Sequence, residues 1–349
     1  MEVCEGCEYR RELGLKDTWQ KCRVMLTRKC NIRCPECAVI RYREPYRLSL
    51  EQWFRVFDIL KKYRVGFVVL YGGEPLLCPE LPEIVRYLNS IKLSHTIVTN
   101  ATLAVKNPDK YLKPVLKAEP YGFTTSVNMI RDFRRDIDSE LKSEVGFQLI
   151  QQLKKEYGDA MDLCVNGVVS RVNIEQIPEY IQFFTKKEIW SIFVLLHLAR
   201  KEDGMYWWYR AIENEETAKW RFKPSDKEKL QRFAEWIEDN YNNLLLHNSI
   251  EYFKAWSSDE AIHQCWKCKY WTYPNINPDG TLMQCVDRPL SRPINILELE
   301  DGEKEKEVLR SMRETIASCP GCFWDDWECN FYVDKGMVEW ARLHFAHKA

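Results

Sequence analysis

Two things this 349-residue sequence lacks narrow its classes first: a net charge and a long apolar run. Lys plus Arg number 51 against 52 for Asp plus Glu, so no overall basic field draws the chain to nucleic acid or to an anionic membrane. Basic clusters of the kind a nucleic-acid-binding face carries are missing too. No stretch approaches the roughly eighteen apolar residues that a membrane helix needs. The opening MEVCEGCEYRRELG has no apolar h-region of the kind an export signal carries. Without such a leader, 14 cysteines are not expected to form a disulfide framework; the expectation is a reducing, cytoplasmic compartment with metal-binding or catalytic thiols.

What is present is organised around Cys30 to Cys37, CNIRCPEC, which sets three thiols at the spacing CxxxCxxC. Three thiolates on one short loop can hold three irons of a four-iron cluster, whose chemistry usually asks for a fourth cysteine. The loop has none, which predicts one iron left open to a ligand that is not protein. A structural zinc site would ask for two CxxC pairs or for histidines, and no histidine lies near.

From Arg23 onward short β-branched or apolar runs alternate with longer amphipathic ones. The runs Arg23 to Leu26, Gly66 to Tyr71, Thr96 to Thr99, Gly122 to Val127, Asp162 to Val169 and Ser191 to His197 read as six strands. Between them, helices are expected over Leu48 to Tyr63, Leu81 to Leu88, Asp109 to Ala118, Leu141 to Tyr157 and Ile174 to Phe184. Ser49 is the expected N-cap of the first, with Gln52 completing a capping box. Strands separated by helices make a parallel α/β sheet with right-handed crossovers. Six units rather than eight suggest a partial (βα)6 TIM-like barrel, with a doubly wound flat sheet as the competing architecture.

In such a barrel the chemistry sits on the loops at the C-terminal ends of the strands. The cysteine loop follows the first strand and Gly72-Gly73-Glu74-Pro75 follows the second, so both fall on that face. Adjacent glycines let a ligand approach the backbone, Pro75 pins the turn, and carbonyls there suit an ammonium group. Beyond the barrel, Trp207, Trp208, Tyr209 and Trp220 are expected to pack a connecting segment, with a lid or substrate wall as the alternative, and Lys223 to Tyr241 is an amphipathic helix.

The last third is rich in thiols: Cys265 and Cys268 as one CxxC, Cys285, Cys319 and Cys322 as a second CxxC, and Cys329. Such pairs are a metal signature, open to iron–sulfur or zinc. Asp279-Gly280 marks a β-hairpin whose arms bring Cys268 and Cys285 near one another. A helix is expected over Lys304 to Ala317 and another over Val333 to His347. Cys4, Cys7 and Cys22 near the start form at most part of a further site. The division drawn from these patterns is 1–22 extension, 23–200 barrel, 201–260 connecting helical segment and 261–349 small hairpin-and-helix domain.

The CxxxCxxC loop after the first strand, GGEP after the second and the six βα units together resemble the radical S-adenosylmethionine (SAM) superfamily, over roughly residues 23–200. The resemblance implies a [4Fe–4S] cluster on Cys30, Cys34 and Cys37, with SAM on the open iron. Reductive cleavage of SAM would then yield a 5′-deoxyadenosyl radical that abstracts a substrate hydrogen. It also implies SAM contacts from Gly72, Gly73 and Glu74, and from polar residues at the ends of strands four and five: Ser126, Asn128, Ser170 and Arg171. As bare sequence, those four, Asn173 and the Thr99-Asn100 pair read equally well as turn residues.

The C-terminal cysteines resemble the SPASM and twitch extensions, which bind auxiliary [4Fe–4S] clusters. One auxiliary cluster is expected on Cys265, Cys268, Cys285, Cys319, Cys322 and Cys329, or two if the N-terminal thiols complete a second set. Relatives of that kind imply a small-molecule or peptide substrate, oxidised, dehydrogenated or epimerised, and an electron-donating partner such as flavodoxin or ferredoxin. Ribosomal-peptide maturation is the alternative. Epimerisation would need a thiol that returns a hydrogen atom, for which Cys78 and Cys164 are the candidates; buried cysteines more often serve as small core hydrophobes. A non-catalytic cluster or zinc protein is the rival from another class, and the two intact motifs argue against it.

Overall fold

The computed structural model describes residues 19, 21–35, 37, 39, 44, 46–128, 137–196, 198–199, 211–212, 215, 217–257, 273–285, 290 and 292–318, with only the backbone described over 137–142, 198–199 and 211–212. Its centre is a sheet whose six consecutive parallel strands follow chain order: β1 (Lys21–Thr27), β2 (Phe67–Gly72), β3 (Ser94–Thr99), β4 (Gly122–Ser126), β5 (Asp162–Val169) and β6 (Trp190–Leu195). Each strand pairs with its successor, so the order never reverses. A doubly wound sheet requires a reversal. The chain is therefore wound one way, as a partial barrel, and the flat alternative falls.

The helices cover the outer face. α1 (Leu50–Lys62) starts where Ser49 caps it, with Ser49 and Gln52 exchanging both bonds of the capping box, and buries Trp53, Val56, Phe57, Ile59 and Leu60. Deleting a ring such as Phe57, fully buried, would cost about 3–5 kcal/mol. α2 (Leu81–Ser90) and α6 (Ile137–Tyr157) follow the sequence expectation. The expected helix Asp109 to Ala118 is instead broken into α3 (Thr102–Lys106), α4 (Pro108–Tyr111) and α5 (Lys113–Leu116). Proline is the reason: Pro108 begins α4 beneath an Asn107 cap, and Pro114 has no N–H to carry the helix on. Likewise Pro178 starts α7 (Ile177–Lys186), so Ile174–Gln176 forms only a tight 3₁₀ turn before it.

Two short strands, β7 (Leu198–Ala199) and β8 (Ala211–Ile212), pair beyond β6, and α8 (Lys227–Asn240) and α9 (Ile250–Trp256) follow. The hairpin at Asp279-Gly280 forms β9 (Asn275–Ile276) and β10 (Leu282–Met283), with Gly280 at φ +83°. Sequence did not foretell its place. β9 adds to the main sheet beside β1, parallel, through Arg23 opposite Asn275 and Val24 opposite Ile276. α10 (Gly302–Ala317) closes the described chain; Tyr63, the C-cap of α1, hydrogen-bonds to its Glu305, and Arg55 of α1 to Glu300 in the 3₁₀ turn Ile296–Glu300 just before it.

Alternation along β1 settles one cysteine. Cys22 is fully buried in the core, its thiol is held protonated by that burial, and it contacts the Arg23 carbonyl. It is a core hydrophobe rather than an accessible metal ligand. Cys4, Cys7, Cys265, Cys268, Cys319, Cys322 and Cys329, the tryptophans Trp207 and Trp208 with Tyr209, and the helix expected over Val333 to His347 lie outside the described residues. Among the described residues no helix is long and apolar enough to cross a membrane.

Candidate active site

The cysteine loop leaves the C-terminal end of β1 under tight local control. Thr27 donates its hydroxyl to Glu44 at 2.8 Å, the Arg28 N–H donates to the same carboxylate, and the Lys29 N–H returns to the Thr27 hydroxyl at 3.1 Å. Further along, the Cys37 N–H donates to the Cys34 carbonyl at 3.1 Å, folding the last two cysteines into a turn. All three thiols of the loop are half-buried and unbridged.

The glycines of GGEP fasten this loop to β2. The Gly73 N–H donates to the Thr27 carbonyl and the Glu74 N–H to the Lys29 carbonyl, both at 2.8 Å. A Cβ on Gly72 would stand 2.4 Å from the Thr27 oxygen, and one on Gly73 would stand 2.3 Å from the Lys29 oxygen. Both glycines are thus required by the approach of two backbones, a reason the sequence reading did not contain.

Cys30, Cys34 and Cys37 line a cavity of about 150 Å³ together with Gly72, Gly73 and Ser126. Elements far apart in sequence, the ends of β1, β2, β3 and β4, therefore converge on one space at the C-terminal face. All-sulfur donors around this cavity suit an iron–sulfur cluster, and the bare glycine backbone leaves room for a ligand beside it.

Glu74 is wholly buried and its side chain points along the rim. It accepts from the Thr99 hydroxyl at 2.7 Å, from the Asn100 N–H at 2.9 Å and from the Leu76 N–H at 3.1 Å. Thr99 and Asn100 in turn line the cavity. Asn100 donates from Nδ2 to the Cys30 sulfur at 3.8 Å and to Asn31 Oδ1 at 3.1 Å. Tyr71, on the same wall, donates its hydroxyl to Asn275 on β9 at 3.1 Å. Asn31, Glu44 and Asn275 carried no signal in the sequence: each is a common polar residue whose partner is set by the fold.

The strand-end residues of β4 and β5 divide. Ser126 lines the cavity. Asn128 accepts from the Val168 N–H at 3.1 Å, while its own N–H meets Ser143 at 2.9 Å. Asn173 accepts from the Ser170 N–H at 2.7 Å and donates to the carbonyls of Asn128 and Val168 at 3.1 and 2.9 Å. Arg171 pairs at 2.8 Å with Asp226, whose side chain is 3% exposed.

The two candidate hydrogen-donor thiols sit elsewhere. Cys78 is held between Arg47 at 3.4 Å and Glu80 at 3.3 Å, and burial pushes its thiol up to about 12. Cys164 is buried within β5, its thiol pushed well up by burial, level with Thr124 in the sheet register and two residues below Ser126. Neither lines the cavity. Cys285 is half-buried two residues past β10. Because β10 runs antiparallel to β9 and β9 parallel to β1, Cys285 lies toward the N-terminal end of β1, away from Cys30.

Residues 24–184 match the model of the radical SAM superfamily, whose members are enzymes. Among its relatives is a PqqA peptide cyclase of Granulibacter bethesdensis, 25% identical over 167 residues, which covers 45% of this chain and 41% of that protein. Another is the 7-carboxy-7-deazaguanine synthase of Aquifex aeolicus, 31% identical over 138 residues, covering 36% of this chain and 58% of that protein. The chain thus spans about half the length of these relatives. In fold it is similar to anSMEcpe with bound AdoMet and the Cp18Cys peptide, at 17% identity and a TM-score of 0.57, covering 94% of this chain and 96% of that one.

Proposed function

We propose that the chain binds a [4Fe–4S] cluster and SAM in the cavity shared by Cys30, Cys34, Cys37, Gly72, Gly73 and Ser126, and reductively cleaves SAM to start a radical reaction on a peptide or small-molecule substrate. The observation that carries this is the convergence of those six residues on one space of about 150 Å³. When bound, the cluster supplies one electron to SAM, giving methionine and a 5′-deoxyadenosyl radical that abstracts hydrogen.

The chain's own residues do the positioning. The three thiols would hold three irons, and the bare backbone of Gly72 and Gly73 would receive the SAM amino group. Ser126 would bind SAM from the cavity lining, with Asn128, Ser170 and Arg171 as further candidates at the ends of β4 and β5. Glu74 acts from outside the cavity by holding Thr99 and Asn100 in place. A reductase such as flavodoxin or ferredoxin delivers the electron.

A peptide substrate is favoured by a sequence relative that is a peptide cyclase and by a structural neighbour bound to a peptide. Oxidation or crosslinking is favoured over epimerisation because neither Cys78 nor Cys164 opens onto the cavity. An auxiliary cluster on Cys265, Cys268, Cys285, Cys319, Cys322 and Cys329 is part of the same proposal, in a C-terminal unit 261–349 beyond the barrel 23–200. Support for it is the place of Cys285, toward the opposite end of β1 from the SAM site.

Anaerobic reconstitution with iron and sulfide, followed by reduction in the presence of SAM, tests the reading. Formation of 5′-deoxyadenosine by the native chain and its loss in a Cys30/Cys34/Cys37→Ala variant is the expected result. A fully loaded native chain that leaves SAM intact overturns the proposal. Iron counting in the triple variant against the native chain separates the first cluster from any auxiliary one.

A further inference from the structure

We infer that Asn100 is a positioning residue that tunes the electron affinity of the SAM-site cluster through a hydrogen bond to Cys30, resting on the proposed cluster at that loop. The amide cannot be turned round. Its Oδ1 accepts from the Thr102 backbone N–H at 3.0 Å and from the Thr102 hydroxyl at 2.5 Å, so Nδ2 must be the end that faces Cys30. Asn31, next to Cys30 in the loop, closes the ring: its Oδ1 accepts from Asn100 Nδ2 at 3.1 Å and its Nδ2 donates to the Thr102 hydroxyl at 2.5 Å.

The backbone is arranged to hold that pose. Glu74 accepts from the Asn100 N–H, Thr99 Oγ1 accepts from the Ala101 N–H at 3.0 Å, and Ala101 itself adopts the left-handed conformation at φ 63°. A non-glycine residue is strained there, and such strain persists only where surrounding bonds over-determine it. Asn100 is also 93% buried, which leaves water little access to compete for the amide.

A donor N–H beside a thiolate withdraws electron density from it and stabilises the more negative, reduced form of the cluster. Asn100 therefore raises the midpoint potential of the SAM-site cluster, and it does so through one ligand of the three. Removing the donor makes the one-electron reduction harder while leaving the thiol ligands intact.

The test reads the cluster and not turnover. Native chain, Asn100→Ala, Asn100→Asp and Thr102→Val are reconstituted anaerobically and titrated electrochemically without substrate. Iron content is measured in parallel, and the Cys30/Cys34/Cys37→Ala chain serves as the spectroscopic blank for any auxiliary cluster. Asn100→Asp keeps the shape and the acceptor but replaces the donor with a negative charge; it should shift the midpoint most negatively, Asn100→Ala less. Thr102→Val keeps the amide but cuts its anchor and should shift the midpoint least, in the same sense. Unchanged or more positive potentials in the loaded variants overturn the inference. If Asn100→Ala loses iron, the other two variants decide by the same criterion; loss of iron from all three overturns it as well, leaving Asn100 a folding element. Failure of the native chain to cleave SAM would overturn the proposed reaction while leaving these potentials to stand or fall by themselves. Failure of the native loop to bind any iron beyond the blank overturns both.

Discussion

Two polar nets stand at the C-terminal ends of the strands, built from much the same residue types. One, at β1 to β3, joins Glu74, Thr99, Asn100, Asn31 and Thr102, and Thr99 and Asn100 open it onto the cysteine cavity. The other, at β4 and β5, joins Asn128, Ser143, Ser170 and Asn173 and locks the turns to each other. A polar residue at a strand end is therefore not a ligand by position alone. Which net it joins decides whether its chemistry faces the cavity or is consumed by backbone groups that would otherwise be buried without partners.

The largest effect expected on this contrast is the loss of the cavity's chemistry without loss of the fold. Cys34→Ala should bring SAM cleavage below detection and leave thermal unfolding within about 1 kcal/mol of the native chain, because a half-buried thiol contributes little packing. Anaerobic 5′-deoxyadenosine assay beside a melting curve checks it; unfolding of the variant would show that the loop is structural.

A second test moves to the other ends of the strands, where neither net reaches. Burial holds the His95 imidazole neutral, its pKa lowered to about 4 from 6.5, with Nδ1 on the Leu93 carbonyl and Nε2 facing the Tyr121 N–H. The unfolded chain takes up a proton below about pH 6.5, whereas the folded chain resists until about pH 4. Stability should therefore fall by about 3 kcal/mol as pH drops through that window and should not fall further from this group below it. Urea unfolding of the native chain and His95→Gln across the window is the measurement, and an equal slope in both would remove His95 as the cause.

The nets themselves are compared by Glu74→Gln and Asn173→Ala. Each should cost about 2 kcal/mol, since each removes hydrogen bonds from buried partners. Only Glu74→Gln should also slow SAM cleavage, by about tenfold, through displacement of Thr99 and Asn100 at the cavity. Asn173→Ala should leave the rate per folded chain within about twofold. Similar rates for the two variants would erase the distinction between the nets.

The smallest effect concerns the turns that lead back into the strands. Arg64, Lys92, Glu119 and Glu188 all adopt the left-handed conformation, with φ of 56°, 53°, 58° and 55°, just after α1, α2, α5 and α7. Arg64→Gly should raise the unfolding free energy by about 1 kcal/mol, because glycine meets no Cβ clash there. A lowered midpoint in urea would contradict it.

Much was legible beforehand because it is local. The cap and box of Ser49 and Gln52, the period of α1, the turn at Asp279-Gly280 and the spacing of Cys30, Cys34 and Cys37 depend on residues a few positions apart. The helix expected at Asp109 to Ala118 is broken instead, because Pro114 has no N–H to continue it. The site was legible only as far as its two motifs. Asn100 stood out no more than Asn128 did, although one reaches Cys30 and the other reaches Val168.

The sequence by itself determined the three-thiol loop, the glycine pair, the six βα units and hence the resemblance to the radical SAM superfamily, since motif spacing and hydrophobic period are short-range properties of a chain. Only the tertiary structure decided the order of the strands, the seat of the hairpin beside β1, the burial of Cys22 and the partner of each polar side chain. Those depend on which backbones lie side by side, and that is set by the whole sheet closing over one core.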